Sequence, residues 1–252
     1  MSSVLVYNGN GTKYVDFICN LLIDQLSNKF LVKKVSSQEL QSRNWMFSTK
    51  VLVIPGGRDL PYTRDITMSA IDNIREFVDM GGSYLGICAG AYFACSQVEF
   101  EKGTSLEVLG YRSLQFFKGI ARGSVYNGFK YDSTSGARMV HLQLHHDFNT
   151  VNQNSYAYFD GGCEFIPEEN FTLHKTVAFY NDFTDKKAIV LTKFGKGKVL
   201  LSGVHPEMDA NFLKESDYSS SQWIELMKYS HFQKELFCLF INILFDRCNE
   251  LK

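Results

Sequence analysis

The residues best suited to chemistry are a cysteine set between two glycines, Gly86-Ile87-Cys88-Ala89-Gly90. An apolar run that ends Ser83-Tyr84-Leu85 precedes them. At a junction between a strand and a helix, such a sequence is a nucleophile elbow with cysteine in place of serine. The glycines permit a sharp turn that lifts the Cys88 side chain clear of the sheet, and the N-terminus of the next helix favours the thiolate. Taken alone, the pattern fits a buried cysteine that packs a helix on a strand equally well.

A cysteine nucleophile needs a base, and the base needs a partner that orients it. His205 follows the buried run Val199-Leu200-Leu201-Ser202-Gly203, so we expect it at the same sheet edge as Cys88. Pro206 stops the strand there, and Glu207 is near enough in sequence to reach back to the imidazole. A loop histidine and a carboxylate in the first turn of a helix are the alternatives. The elbow and this His-Pro-Glu sequence, each after a buried strand, together favour a catalytic triad.

A pair of glycines follows another buried run, in Pro55-Gly56-Gly57 after Val51-Leu52-Val53-Ile54. Ligands of open α/β folds bind at the carboxyl ends of such strands. The backbone N–H groups of Gly57 and Ala89 are therefore predicted to form an oxyanion hole. A plain turn at the end of the strand is the alternative.

Further residues are candidates for substrate binding because of their position near these motifs. They are Gly56, Arg58, Tyr62, Tyr92 and Glu99. Glu99 offers a carboxylate that could bind a substrate amine, although capping of a helix end is the simpler interpretation. Arg58 and Tyr62 are equally compatible with a solvated loop. Gly161-Gly162-Cys163 is expected to bring backbone near the pocket.

No cofactor or metal site is predicted. His145-His146-Asp147 resembles a fragment of one, but no second ligand cluster accompanies it, so an exposed turn is favoured. The chain has 6 cysteines, none in a Cys-x-x-Cys pair, and we expect an intracellular protein to keep them reduced.

Strands and helices alternate four times in the first part of the chain, which predicts a parallel sheet with helices on both faces. The predicted strands are Val4 to Tyr7, Phe30 to Val35, Val51 to Ile54, and Tyr84 to Ile87. Residues 98–200 instead contain short β-like runs, such as Leu114-Gln115-Phe116-Phe117, and favour an antiparallel extension. Helical spacing from Ile224 to Cys248 predicts a helix that covers the sheet. No linker divides residues 1–252, which are predicted to form a single domain.

The net charge and the hydropathy of the chain argue against nucleic-acid-binding and membrane proteins. The 252 residues carry a net charge of -1, which gives no bulk attraction to nucleic acid or to anionic membranes. No apolar segment approaches the ~20 residues that span a bilayer, and the N-terminus does not read as a signal peptide. A cytoplasmic protein that acts on or binds a small molecule is the expectation.

Pro-Gly-Gly, Gly-x-Cys-x-Gly and His-Pro-Glu in this order resemble the class I glutamine amidotransferase superfamily. The resemblance implies a flavodoxin-like three-layer α/β/α sandwich, with Cys88 as nucleophile, His205 as general base and Glu207 as orienting acid. A more specific resemblance is to the N-terminal domain of fungal biotin-protein ligases. It rests on several segments: Val4-Leu5-Val6-Tyr7-Asn8-Gly9, Pro55-Gly56-Gly57-Arg58-Asp59-Leu60-Pro61-Tyr62, Gly86-Ile87-Cys88-Ala89-Gly90-Ala91-Tyr92, Val98-Glu99-Phe100, Tyr126-Asn127-Gly128-Phe129, Ser135-Gly136-Ala137-Arg138 and Tyr158-Phe159-Asp160-Gly161-Gly162.

The sequence departs from both families in ways that bear on function. It has no Gly-Arg-Gly-Arg-x-Gly biotin-adenylate loop, so it is either a stand-alone relative or a piece of a longer ligase. Tyr92 stands where many amidotransferases have glutamine, which disfavours glutamine as the substrate. Two hypotheses follow. The first is thiol-dependent hydrolysis or transfer of an amide or acyl group; the second is a silent ligand-binding or regulatory module that docks on a biotin-protein ligase or its substrates.

Overall fold

Parallel strands form one half of a nine-stranded sheet in the computed structural model, which describes residues 2–26, 29–148, 153–210 and 213–246. The strand order is β2-β1-β3-β4-β13-β12-β11-β8-β9. The strands from β2 to β13 pair in parallel, and those from β13 to β9 pair antiparallel. Their bounds are β1 (Ser3–Tyr7), β2 (Leu31–Val35), β3 (Thr49–Ile54), β4 (Ser83–Ile87), β8 (Arg138–Leu144), β9 (Asn154–Phe159), β11 (His174–Tyr180), β12 (Lys187–Phe194) and β13 (Gly197–Ser202).

A second sheet of four strands has the order β10-β7-β5-β6. Its members are β5 (Cys95–Phe100), β6 (Val108–Tyr111), β7 (Phe117–Gly123) and β10 (Cys163–Pro167). The predicted antiparallel extension is thus confirmed, and it takes two forms: one half of the main sheet and most of this second sheet. The predicted strand Leu114 to Phe117 is wrong, because β7 begins only at Phe117 and Gln115 has a φ of 48°. Leu114 and Phe116 are apolar because they are buried in the core, not because they alternate along a strand.

Six α-helices complete the described part of the chain. They are α1 (Val15–Leu26), α2 (Ser37–Leu40), α3 (Asp59–Asp65), α4 (Met68–Asp79), α5 (Ala89–Ala94) and α6 (Ser220–Leu244). The apolar face of α4 is buried, and Thr67 caps the helix by accepting a hydrogen bond from the Ala70 N–H. A capping box at Ser219 starts α6. This helix packs on β8, β9 and β13, as expected for a cover of the sheet, although Cys248 lies outside the described residues. Among the described helices, none has the length and hydropathy needed to cross a bilayer.

The central strands place three chain segments at one edge of the main sheet. β4 lies between β3 and β13, with Gly86 opposite both Ile54 and Leu201. All five residues of β4 are buried, as are those of β1, and each such aliphatic side chain contributes about 1.5–3 kcal/mol. Because parallel strands end at the same edge, the residues that follow β3, β4 and β13 meet there.

Candidate active site

The turn after β4 holds Cys88 in a strained backbone conformation. Its φ is 47° and its ψ is -106°, a region that a non-glycine residue rarely adopts. The flanking glycines are required by close approach: a Cβ on Gly86 would lie 2.6 Å from the Gly90 carbonyl oxygen, and one on Gly90 would lie 2.0 Å from that of Ile54. The predicted elbow geometry is therefore present. The helix that follows has only six residues, so its dipole is small.

A buried histidine–glutamate pair lies beside the sulfur. Nδ1 of His205 is 2.8 Å from Oε1 of Glu207, and the two residues are 2% and 1% exposed. With Nδ1 engaged, Nε2 is the ring nitrogen that remains available to the Cys88 sulfur, which borders the same cavity as the imidazole. The structure thus brings together the three residues that the sequence predicts as a triad.

Two backbone links hold this arrangement. The Cys88 N–H donates to the Ser202 carbonyl at the end of β13, and the His205 N–H donates to the Tyr158 carbonyl in β9, both at 2.8 Å. The rings of Tyr14 and Tyr158 meet the imidazole edge-on, with centroids 5.8 and 6.0 Å away. The imidazole therefore has little freedom to turn away from the sulfur.

Electrostatics favour the charged form of the imidazole. Burial by itself would lower the pKa of His205, but the Glu207 carboxylate and the Cys88 sulfur outweigh burial and hold that pKa well above its usual value. An imidazolium stabilises a neighbouring thiolate, which is the nucleophilic form of cysteine.

The predicted oxyanion donors face the same cavity. Gly57 and Ala89 both line the pocket over the Cys88 sulfur. Among the described residues, neither of their N–H groups donates to a backbone carbonyl, so both are free to bind an oxygen. Gly57 has a φ of 135°, and a Cβ there would lie 1.9 Å from the Gly11 carbonyl oxygen. Only glycine fits this turn.

The pocket and the open space at its mouth together have a volume of about 360 Å³. Aromatic rings wall it: those of Phe100 and Phe129 meet edge-on at 5.3 Å, and those of Phe129 and Tyr131 at 5.1 Å. At the mouth, Asp132 accepts hydrogen bonds from Arg58 at 2.6 Å and from Lys13 at 3.2 Å. The Arg58 guanidinium also lies over the Tyr131 ring, 4.5 Å from its centroid.

The other predicted binding residues divide into those in the pocket and those behind it. Arg58 and Tyr92 line the pocket. Gly56 and Tyr62 lie behind it: the Tyr62 hydroxyl donates to the Gly56 carbonyl at 2.9 Å, and a Cβ on Gly56 would approach Cε1 of His205 to 2.7 Å. Both residues support the turn, and the described pocket lining does not include them.

Glu99 does not line the pocket. It lies on β5, where its carboxylate accepts from Nε of Arg122 at 2.8 Å and from Lys102 at 3.3 Å. The elbow helix ends after six residues, so the chain has already entered a strand at this position. The proximity that the sequence suggested is therefore not realised in space.

The sequence motifs did not single out Asp160 as a pocket residue. It lines the cavity beside Cys88, whose thiol is 3.8 Å from the Asp160 carbonyl oxygen and 4.0 Å from that of Gly161. Burial raises the pKa of Asp160 to about 6, in spite of the opposing effects of His205 and Lys13. No short sequence pattern identifies Asp160, because it reaches the cavity through the pairing of β9 with β8 and of Tyr158 with His205.

Replacing Asp160 by asparagine is expected to stabilise the fold at pH 8 by up to ~3 kcal/mol. The folded state keeps a proton to about pH 6, whereas an ordinary Asp loses it near 3.8, so native stability falls as the pH rises through this window. Asparagine resembles the protonated acid and removes this cost. Urea unfolding at pH 8 and at pH 4 should show a gain only at pH 8. Asp72→Asn, on the exposed face of α4, is the control and should show none. A gain of equal size at both pH values would contradict the linkage.

The histidine cluster lies outside the lining of the pocket. Ligand atoms of His145, His146 and Asp147 fall within 4.8 Å of one another at the surface. The Asp147 carboxylate already pairs with His146 and with Lys175. The cluster adds nothing to the pocket around Cys88.

Known proteins are similar to this chain in sequence over most of its length. A family model described as the N-terminal part of biotin-protein ligase matches residues 2–243. The biotin-protein ligase of Schizosaccharomyces pombe is 40% identical over 216 residues, which is 82% of this chain but 34% of the ligase. An uncharacterised protein of Chlamydia muridarum is 33% identical over 221 residues, covering 82% of this chain and 81% of that protein. The chain thus spans about a third of the length of the ligase that it matches.

Solved structures share the fold at low identity. A chain in the structure of PurLQS from Thermotoga maritima superposes with a TM-score of 0.61 at 14% identity, covering 96% of this chain and 99% of that one. A glutamine amidotransferase of the same organism superposes with a TM-score of 0.58 at 11% identity, covering 96% and 97%. The predicted flavodoxin-like, class I glutamine amidotransferase-like fold is confirmed.

Proposed function

This chain belongs to the family of biotin-protein ligase N-terminal domains, and from that premise we propose that it hydrolyses or transfers an amide or related acyl group through a thioester on Cys88. The observation that carries the proposal is the strained elbow cysteine that shares a cavity with a buried His205–Glu207 pair. A strained nucleophile, a base beside it and a partner that orients the base are the arrangement used by cysteine and serine hydrolases.

Cys88, His205 and a water molecule are sufficient for every bond change and proton transfer in the proposed reaction. The Cys88 thiol passes its proton to Nε2 of His205, and the sulfur attacks the acyl carbon. A C–S bond forms while the carbonyl electron pair moves to the oxygen, which the N–H groups of Gly57 and Ala89 hold. As the tetrahedral species collapses, His205 returns the proton to the leaving nitrogen and the amine departs. Water then attacks the thioester with His205 as base, releasing the acid and restoring the thiol.

Glu207 is the positioning residue in this scheme. Its Oε1 accepts the Nδ1–H of His205, which fixes the tautomer that leaves Nε2 available to the sulfur. Its second oxygen is buried without a hydrogen-bond partner in the described residues. Among the described residues, the imidazole is therefore the hydrogen-bond partner of this carboxylate.

Tyr92 argues for a substrate other than glutamine. Its hydroxyl donates to the Gly161 carbonyl at 3.1 Å, and its ring packs edge-on against Phe100. The side chain is thereby held as part of the wall, so it offers no amide group to a glutamine substrate. An acyl group that fits an aromatic cavity is favoured.

The proposal is tested with a panel of primary amides that includes glutamine and biotinamide. With hydroxylamine as the acceptor, the thioester is captured as a hydroxamate, which is measured by mass spectrometry together with any acyl adduct on Cys88. We expect hydroxamate formation from at least one amide, in a reaction that requires Cys88. No hydroxamate and no adduct from any member of the panel would count against catalysis.

A ligand-binding or regulatory module is the second candidate function. The match to one part of a longer biotin-protein ligase favours it, since a domain within such a chain would lie beside the ligase or its substrates. Ligand-induced thermal shifts that persist in Cys88→Ala, without turnover of any amide, are the result it predicts. The proposed thioester chemistry needs a reduced Cys88, and we infer that the protein works in the cytoplasm, where thiols are kept reduced.

A further inference from the structure

Asp160 is the acidic residue of the pocket that forms no ion pair among the described residues, although His205 and Lys13 are near enough to favour its charged form. The other two carboxylates of the lining are neutralised: Asp59 pairs with Arg112 at 2.7 Å, and Asp132 pairs with both Arg58 and Lys13. By contrast, Oδ1 of Asp160 is buried and accepts no hydrogen bond among the described residues. A buried acceptor left unpaired costs free energy unless something else satisfies it.

Asp160 forms part of the wall of the cavity next to Cys88. Asp160 lines the cavity on the aromatic side and on the side of His205, and Cys88, Phe129 and Tyr131 border both. Its backbone carbonyl is 3.8 Å from the Cys88 sulfur, so Asp160 is a direct neighbour of the position that a reacting carbon would take. A ligand in the pocket therefore meets the carboxylate and the sulfur together.

The surroundings suit a cation. Aromatic faces attract positive charge, and Phe100, Phe129 and Tyr131 form one wall of the same cavity. The positive side chains nearby, Lys13 and Arg58, are 42% and 43% exposed and are already bound to Asp132. The pocket thus presents a carboxylate without an ion pair beside aromatic rings. Its positive groups are paired elsewhere: Lys13 and Arg58 with Asp132, and His205 with Glu207.

We propose that Asp160 binds a positively charged nitrogen of the substrate, so that the compound attacked by Cys88 carries a primary ammonium or an amidinium group close to its acyl carbon. This inference rests on the proposed function in naming a substrate, but the charge preference of the pocket can be measured without turnover.

The test uses size-matched reagents that react with thiols. The 2-aminoethyl, 2-hydroxyethyl and 2-sulfonatoethyl methanethiosulfonates each form a disulfide with the Cys88 thiolate and release methanesulfinate. They differ in carrying a positive, a neutral or a negative group two carbons from the new bond. Rates at Cys88 are followed by peptide mass spectrometry and divided by those of free 2-mercaptoethanol, with Cys88→Ala as the baseline for the other cysteines.

We expect the cationic reagent to react at least ~10-fold faster than the neutral one, since an unpaired carboxylate a few ångströms away is worth that much or more. In Asp160→Asn this ratio should fall toward one, while Asp72→Asn should retain the native ratio. Equal rates for the cationic and neutral reagents, or faster reaction of the anion, would overturn the inference.

The outcomes separate the inference from the proposed function. If no reagent modifies Cys88, the sulfur is closed to ligands and both are wrong. If the cationic reagent is preferred but no amide is turned over, the pocket binds a cation and the protein is a binding module. If amides are turned over without charge preference, catalysis stands and the role of Asp160 fails. Glycinamide and acetamide provide a matched pair of amides with and without an ammonium group beside the acyl carbon, and Asp160→Asn should raise KM for glycinamide alone.

Discussion

Replacing Cys88 by alanine is expected to lower thioester-dependent turnover by ~10³-fold or more while the protein remains folded. Alanine keeps the Cβ and therefore tolerates the same turn with its φ of 47°, so the unfolding midpoint should change little. The loss is large because the sulfur forms the covalent bond and no other cysteine reaches the pocket among the described residues. Hydroxamate formation is the measurement.

Cys95 provides the matched control. It is fully buried at the start of β5, and burial raises the pKa of its thiol. Cys95→Ala should leave turnover unchanged, and iodoacetamide at neutral pH should label Cys88 much faster than Cys95. Retention of more than about a tenth of the activity in Cys88→Ala would place the nucleophile elsewhere.

Glu207→Gln is expected to give the second largest effect, a fall of ~10²–10⁴-fold in turnover with the fold intact. The glutamine amide fills the same space, but its NH₂ group can face Nδ1 of His205 and stabilise the tautomer whose Nε2 carries the proton. The imidazole then cannot take the proton of the Cys88 thiol. Loss of the carboxylate also removes the charge that raises the pKa of His205, so the imidazolium form is populated less at neutral pH.

The pH profile distinguishes positioning from a merely structural role. In the native protein the rate of alkylation of Cys88 should persist to lower pH than in Glu207→Gln, because the imidazolium stabilises the thiolate. Glu99→Gln removes the same charge from a surface pair with Arg122 and Lys102 and should change neither rate nor profile. An unaltered alkylation profile in Glu207→Gln would show that the buried carboxylate does not act through His205.

The sequence predicts the parts of the site that depend on local pattern. The elbow at Cys88 and the glycine pair at Gly57 can be predicted from the sequence, because each turn admits only small residues and follows a buried parallel strand. The position of His205 can be predicted because β13, like β4, contains a buried apolar run, and two such strands in one parallel sheet end at the same edge.

The remainder depends on pairing between distant segments. Asp160 reaches the pocket because β9 pairs antiparallel with β8 and its end meets His205, which no short pattern encodes. Glu99 appeared close to the sulfur in sequence, but it lies on β5, where successive side chains point to opposite faces. Val98 and Phe100 therefore line the pocket and Glu99 does not. Phe129 and Tyr131 lie on a loop, and their place over Cys88 follows from the two sheets meeting, not from spacing along the chain.

The position of β13 couples the chemistry to the completion of folding. This strand is made more than a hundred residues after β4 yet pairs directly beside it, and it carries the chain to His205. Until the late segment inserts between β4 and β12, Cys88 has neither its base nor the Ser202 carbonyl that anchors its backbone. Pairing across so long an interval is slow in folding chains. In a growing polypeptide on the ribosome, Cys88 therefore lacks the base that activates its thiol. The reactive form arises only after β13 has paired with β4.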